Sequence, residues 1–399
     1  MSAPATSSQR VEINPGDEVY APQVQVFVDG QDVTEQVNGD IIDLHVTLEE
    51  GQIGGFTLSL TNHFEVPDSG GTSDANRKFR HSDDDQFQLF KPVKIAMGYP
   101  GQMTKLLIGE ITSIQATFPS DGAPTLTITG TDYMNRLKKS DPGSDRSKNY
   151  NNLADWQIAQ QIAQLHDLTF STESTKQGEK HVLVAQGTDD DLTFLLRLAK
   201  RNEFDCFVRI ESDKPALYFG PPLDKRNGTK PVAQFKLVYG QSLISFSPRL
   251  AIAEQLTKLT VRGWNPRNKE KFEYSATKAD LPRTGDSDGV SGPDLVEKYL
   301  PHGKEKRVVK IPVQSQEETK QRALEQFNKS AYGFLTGSGE AIGDPRIVPQ
   351  VSLELDGLGC RYKGVYYVTK TEHVYGASGY QTSFDVKRLR IHQCPEKKR

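Results

Sequence analysis

Apolar and polar residues alternate over most of the first third of the chain. Val24, Val26 and Val28 alternate up to Asp29-Gly30, then Ile42, Leu44, Val46 and Leu48, then Phe56, Leu58 and Leu60 with Thr57, Ser59 and Thr61 between them. A period of two predicts strands with one buried face, and the Asp-Gly pair predicts a turn. From Glu65 to Gln88 the alternation lapses into a charged stretch with Gly70-Gly71 and Asp83-Asp84-Asp85, which reads as a long exposed loop. It resumes with Val93, Ile95 and Met97, then Leu107 to Ile114, then Leu126 and Ile128. Short strands punctuated by turn signals predict a compact barrel or sandwich.

At Asn152 the period changes. Ile158, Ile162 and Leu165 fall on one helical face, with Asn152 as the expected N-cap. A second helix follows Thr188. Asp189 to Asp191 stand at its start, Leu192, Leu195 and Ala199 share a face beside Phe194 and Leu198, and Lys200 and Arg201 close it. Acids first and bases last complement the helix dipole. Strands through Phe207 and through Leu217 to Phe219 complete a small α+β unit. From about 232 the strand pattern returns in Phe235, Leu237 and Tyr239, and in Leu259 and Val261. Residues 276–304, rich in Gly, Pro and Asp, predict a mobile polar insertion. Ser315 with Glu318 opens a third helix, buried through Ala323, Phe327 and Ala331. Val351, Leu353 and Leu355, then Tyr366 to Val368 and Ser383 to Val386, predict closing strands.

The 399 residues suggest two or three domains. Apolar residues make up 35%, and counting the 33 Gly raises this to about 43%, enough for real cores. Basic and acidic residues, 49 against 52, nearly balance at a net charge of −3, which argues against a general nucleic-acid binder. No apolar run approaches the ~18 residues of a membrane helix, and Met1 to Arg10 do not read as a signal peptide. Cys206, Cys360 and Cys394 are far apart and odd in number, so no disulfide framework is expected and a reducing site of synthesis is the default.

Candidate chemistry is sparse. The histidines (His45, His63, His81, His166, His181, His302, His373 and His392) are scattered without metal-ligand spacing and read as surface or packed residues. Asp286, Asp288 and Gly289 resemble part of a calcium loop, but Thr284 and Leu295 stand where it needs carboxylates. Gly337, Gly339 and Gly343 follow a helix rather than a strand, the reverse of a dinucleotide fingerprint. No nucleophile elbow occurs. Cys206, between Phe204 and Phe207, reads as a buried thiol. Asp189 to Asp191 could in principle do acid–base work, yet their place at a helix start explains them more simply. The expectation is no catalytic residue, no cofactor and no metal.

Three stretches carry a resemblance. The first is Leu107-Ile108-Gly109-Glu110-Ile111, followed by Gly130-Thr131-Asp132-Tyr133 and Arg136-Leu137. The second is Asp191-Leu192-Thr193-Phe194-Leu195-Leu196-Arg197-Leu198-Ala199. The third is Phe246-Ser247-Pro248-Arg249-Leu250 with Val261-Arg262-Gly263-Trp264-Asn265-Pro266. Together, over roughly residues 20–390, the chain resembles the phage late control gene D family. These are hub proteins of contractile tails, related to the N-terminal part of VgrG spikes. Gly109, Asp132, Leu137, Leu192, Phe194, Leu195, Leu198, Ala199, Gly263 and Trp264 carry the motif. Tyr133, Leu137, Phe194, Leu198 and Trp264 are expected to be packing residues.

The resemblance implies a mainly β fold, with two tube-like β-barrel domains flanking an α+β domain. It also implies a homotrimer whose six barrels form a pseudo-sixfold ring. On this reading residues 1–20 are a loose arm, 21–138 the first barrel and 139–231 the α+β domain. Residues 232–391 are the second barrel, with a polar insertion at about 272–312, and 392–399 are a basic tail. The implied function is a structural baseplate hub of a phage tail, tailocin or extracellular contractile particle. The hub adapts a hexameric tail tube to a separate trimeric spike among other baseplate proteins. It would be made in bacterial cytoplasm and built into the particle, without nucleic-acid recognition or stable membrane insertion. Two rivals stand beside it: a peptidoglycan- or carbohydrate-cleaving tail enzyme, which needs two convergent carboxylates, and a monomeric adhesion module.

Overall fold

The structure is a computed structural model describing residues 11–12, 21–65, 78–138, 148–202, 204–222, 235–265, 269–282, 289–300, 304–312 and 315–394. Alternation becomes antiparallel sheet where it was expected. Strands β1 (Gln23–Val28), β2 (Ile41–Glu49), β3 (Gly55–Thr61), β4 (Pro92–Tyr99), β5 (Gln102–Thr117) and β6 (Thr125–Asp132) pair in the order β1-β4-β5-β6-β3-β2. Their inward residues, among them Val24, Val26, Leu44, Leu58, Ile95 and Ile128, form one apolar core. Each such side chain contributes about 1.5–3 kcal/mol through removal from water.

The chain then builds a second core. Helix α1 (Met134–Lys138) leads to β7 (Asn149–Leu153), α2 (Asp155–Leu165), β8 (His181–Ala185), α3 (Asp191–Asn202), β9 (Asp205–Glu211) and β10 (Lys214–Gly220). Ile158, Ile162, Phe194, Leu195, Leu198, Leu217 and Phe219 interlock there, together with Ile108 and Leu137 from the β5 and α1 side.

Strands return as β11 (Phe235–Val238) and β12 (Leu243–Leu250). Next, β13 (Lys258–Asn265), β14 (Glu270–Thr277), α4 (Gly292–Tyr299), β15 (Glu305–Pro312) and α5 (Gln316–Tyr332) intervene. The order β14-β13-β15 makes a small sheet, and Leu259 and Val261 pack with Ala323, Phe327 and Ala331 of α5. Last come β16 (Leu335–Ile342), β17 (Ser352–Asp356), α6 (Gly359–Tyr362), β18 (Gly364–Gly376) and β19 (Gly379–Arg388). Leu237, Leu243, Leu353, Tyr366 and Phe384 form the core of this end.

The fold is mainly β, and its two sheet-built cores share one sheet. β18 pairs antiparallel with β2, Val46 opposite His373, while β18 also pairs with β19 and β17. His373 is fully buried at this joint. Its Nδ1 lies 2.8 Å from the Tyr380 hydroxyl and 3.1 Å from that of Thr382. Burial pushes its pKa down to about 4, so the folded ring stays neutral where a free histidine would charge. The resulting stability is whole above about pH 6.5 and is lost as pH falls towards 4, about 3 kcal/mol in all. In urea unfolding at pH 7.5 and 4.5, His373→Gln should lose that much less stability on acidification than the parent. An equal acid loss in both proteins would remove the ring from the account.

Several expectations are corrected. Helix α2 begins at Asp155, not after Asn152, which has a positive φ of 52° inside β7. The expected loop 65–88 is pinned in its second half, because His81 and Phe87 are buried there. His81 Nε2 bonds the buried Asp40 carboxylate at 2.8 Å. Residues 66–77 of that stretch lie outside the described residues. The 276–304 stretch, expected to be a mobile insertion, holds helix α4. Ser291 caps it, and the Asp294 carboxylate accepts from Ser291 N. Residues 283–288 and 301–303, including His302, lie outside the described residues. In the arm expected to be loose, Val11–Glu12 pair parallel to β11. Where no disulfide framework is expected, Cys360 and Cys394 form a disulfide with Cα atoms 5.6 Å apart. Spacing along the chain hid the pair, because the β18–β19 hairpin folds back and returns Cys394 to α6. Residues 395–399 of the tail lie outside the described residues.

Candidate functional site

The first two motif stretches meet at one core. Gly109, on β5, stands opposite both Asp132 on β6 and Val93 on β4. Asp132 ends β6 and ties the corner. Its Oδ2 accepts from Gly54 N and its Oδ1 from Met134 N, each at 2.9 Å, so it fixes where α1 begins. Burial pushes its pKa up to about 7, against the pull of those two N–H donors. Arg136 donates to Glu110 through Nε at 2.7 Å and lies over the Tyr133 ring at 4.0 Å. Leu137 then enters the same core as Leu192, Phe194, Leu195, Leu198 and Ala199 of α3.

Helix α3 is held at both ends by carboxylates. Asp190 accepts from Thr193 N at 2.6 Å. Asp191, buried, is bound by His166 Nε2 at 2.8 Å and Gln186 Nε2 at 2.7 Å. At the far end Arg201 and Asn202 both donate to Asp155, which starts α2. The acidic run is thus structural. A two-residue turn with Ser212 and Asp213 at positive φ joins β9 to β10. It sets Asp213 against Lys94 of β4 and Lys105 of β5, at 2.6 and 2.5 Å. Hydrogen bonding to those lysines holds the Asp213 carboxyl below its ordinary value. The α+β core is latched to the first sheet at an exposed point that salt can screen.

The third stretch divides: Phe246 to Leu250 lie on β12, paired with β16, while its second half lies apart. Gly263 and Trp264 sit on β13, which packs with α5 through Leu259 and Val261. Trp264, expected to pack, is 48% exposed. It stands opposite Lys271 on the face where Arg262 pairs with Glu273 at 2.8 Å, away from α5. The two-residue period places Val261 and Gly263 inward and Trp264 outward.

A cleft of about 1120 Å³ opens between α3, α5 and the β18–β19 hairpin. Lys387 of β19 lines it. Its ammonium bonds Glu50 at 2.8 Å and lies 4.8 Å from the Tyr367 ring and 5.4 Å from that of Tyr332. Tyr367 points its hydroxyl at Asp205, at 3.5 Å. Burial pushes the Glu325 carboxyl up, while Lys200, Arg322 and Lys329 pull it down. The Asn328 Oδ1 atom is buried without a hydrogen-bond partner among the described residues. Cys206 also lines the cleft, but burial pushes its thiol up to about 12, so it is not a ready nucleophile. Among the described residues no group of three His, Cys, Asp or Glu could hold a metal ion. The cleft offers ion pairs and hydrogen bonds. From the resemblance stretches Leu196, Ala199, Ser247 and Arg249 line it. Lys200, Cys206 and Tyr367 stand out in the sequence only as a helix end, a buried thiol and a strand residue, and Glu50, Asp205, Asn328, Tyr332 and Lys387 do not stand out, because four distant segments supply the cleft.

Among the described residues no helix is long and apolar enough to cross a membrane. Over about 92% of its length the chain shares the fold of solved tail proteins. It is similar to the 43 kDa tail protein of prophage MuSo2 from Shewanella oneidensis, with 12% identity, a TM-score of 0.64, and coverage of 92% of this chain and 99% of that one. A tail protein from Neisseria meningitidis gives 12%, 0.63, 92% and 97% in the same order. An Escherichia coli component of the type VI secretion system gives 10%, 0.55, 93% and 79%. The resemblance to late control gene D and VgrG-like hubs therefore holds at the level of fold. The chain belongs to the Alg8 N-terminal domain family, which matches residues 21–376. No curated protein matches it in sequence.

Proposed function

We propose that this chain is a structural hub in the baseplate of a contractile injection machine. Three copies form a ring in which two β-built cores per chain alternate, giving six similar units around a channel. One face of the ring meets a hexameric tail tube, and the other presents threefold symmetry to a separate trimeric spike. Symmetry adaptation of this kind needs interfaces of the obligate class, above ~2,000 Å². It needs no catalysis. The observation that carries the reading is fold likeness to tail proteins over nearly the whole chain, in a fold with two sheet-built cores. The shared β2·β18 pairing suits a part that passes load between those cores.

The test is absolute mass by light scattering across a concentration series, alone and after co-expression with the neighbouring tube and spike proteins. One chain is 44.4 kDa, so a trimer of about 133 kDa is expected. A monomer at every concentration, with and without those partners, would overturn the reading.

A further inference from the structure

We propose that Cys360 and Cys394 are a redox-closed staple around the joint between the two β cores. Their Cα separation of 5.6 Å lies in the range a disulfide spans without backbone movement. The segment between them contains β18 and β19 entire, and β18 is the strand that pairs with β2. Closing the link therefore constrains, in the unfolded chain, the hairpin whose pairing unites the two cores.

The surroundings suit reversible exchange. Cys394 is exposed and Cys360 half-buried, so small thiols and disulfides reach both. Arg361 and Lys363, both exposed, follow Cys360 closely in the chain. Positive neighbours favour the thiolate, the attacking form. The Cys394 end keeps its place by other means. Ser291 and Val290 pair with Arg390 and Ile391, and the Arg390 guanidinium donates to Pro282 O at 3.0 Å. A reduced Cys394 thus stays near its partner. Cys206, buried and with its thiol pushed up to about 12, is a built-in unreactive control.

The oxidant is a low-molecular-weight disulfide. A cysteine thiolate attacks one of its sulfurs, giving a mixed disulfide and expelling one small thiolate. The second cysteine thiolate then attacks the protein sulfur of that mixed disulfide and expels the other. The protein loses two thiol protons and two electrons, and the small disulfide becomes two thiols.

The experiment uses the full chain, reduced and then treated with oxidised glutathione. Native maleimide labelling with mass spectrometry should show two labels on the reduced protein, with Cys206 spared. The oxidised protein should carry no label, weigh about 2 Da less, and yield a peptide linking Cys360 to Cys394. Its thermal midpoint should rise by about 5 °C, a shift absent in Cys394→Ser. Slower hydrogen exchange in β18 should accompany closure. Glutathione retained on the cysteines instead of an internal link, or closure with an unchanged midpoint, would overturn the staple. None of these readouts depends on assembly, so the result is separable from the fate of the hub reading.

Discussion

Gly109→Ala should destabilise the first β core by about 3 kcal/mol, the top of the usual range for overpacking and a large effect for the addition of one methyl group. The position does not need a positive φ. It needs space. A Cβ built there would lie 2.0 Å from the Thr131 carbonyl oxygen and 2.7 Å from its carbon, and both are backbone atoms. The pairing of β5 and β6 shifts register between Thr129 and Gly130, which brings the β6 backbone down onto Gly109. β4 holds the other side through Val93, so β5 cannot slide away. A methyl group must part the strands and break ladder hydrogen bonds. It would also displace Asp132, which sets the start of α1. Gly39 is the control: nothing lies within 4 Å of its added Cβ, so Gly39→Ala should change stability by under about 0.5 kcal/mol. Urea unfolding midpoints compare the two. Similar small changes at both positions would mean that the close approach at Gly109 is not a constraint.

That glycine also shows what sequence reading can reach. Alternation made β1, β2, β3 and β6 legible because one face of each strand is more deeply buried than the other, whereas β5 is buried on both faces from Leu106 to Ile111, between two cores. The α3 pattern was legible because the apolar face, the leading acids and the trailing bases all agree. The shared β2·β18 pairing was not legible. Strand pairing between residues more than 300 apart leaves no local mark, and β18 alternates as any half-buried strand would.

The misreadings have local causes. The 276–304 stretch looked like loop because its Gly, Pro and Asp residues are turn formers. Two of them, Pro293 and Asp294, instead occupy the first turn of α4, where a missing N–H and a negative charge both cost little. The Asp189 to Asp191 run was read correctly as a helix start, but its partner His166 could not be foreseen, because it comes from the end of α2. The resemblance implies that Trp264 packs, whereas side-chain direction is set by register, which turns it outward on β13. The cleft around Lys387 was illegible for a simpler reason: a charge on a strand face gives no sign of what faces it.

Phe194→Ala should cost about 3–5 kcal/mol, and the loss should be confined to the α+β core. Phe194 is fully buried in the first turn of α3. One face stacks on Tyr150 at 5.6 Å, with planes 16° apart, and the Arg197 guanidinium lies 5.1 Å from its centre. Truncation leaves a cavity of aromatic size between β7 and α3. The surrounding side chains cannot collapse into it freely. α3 is fixed at its start by Asp190 and Asp191 and at its end by the Arg201–Asp155 pair. A helix clamped at both ends keeps the void open, which places the cost near the upper part of the range. Phe194→Leu fills most of the same space and should lose only about 1–1.5 kcal/mol. Hydrogen exchange locates the effect. Amides of β7 to β10, α2 and α3 should exchange faster in Phe194→Ala, while those of β2, β3 and β6 keep their protection. The Asp213 latch to Lys94 and Lys105 is exposed and weak, so it should not carry the disturbance into the first sheet. Equal loss of protection in both regions would mean that the two cores unfold as one cooperative unit and that the shared Ile108 and Leu137 contacts, not the latch, govern their coupling.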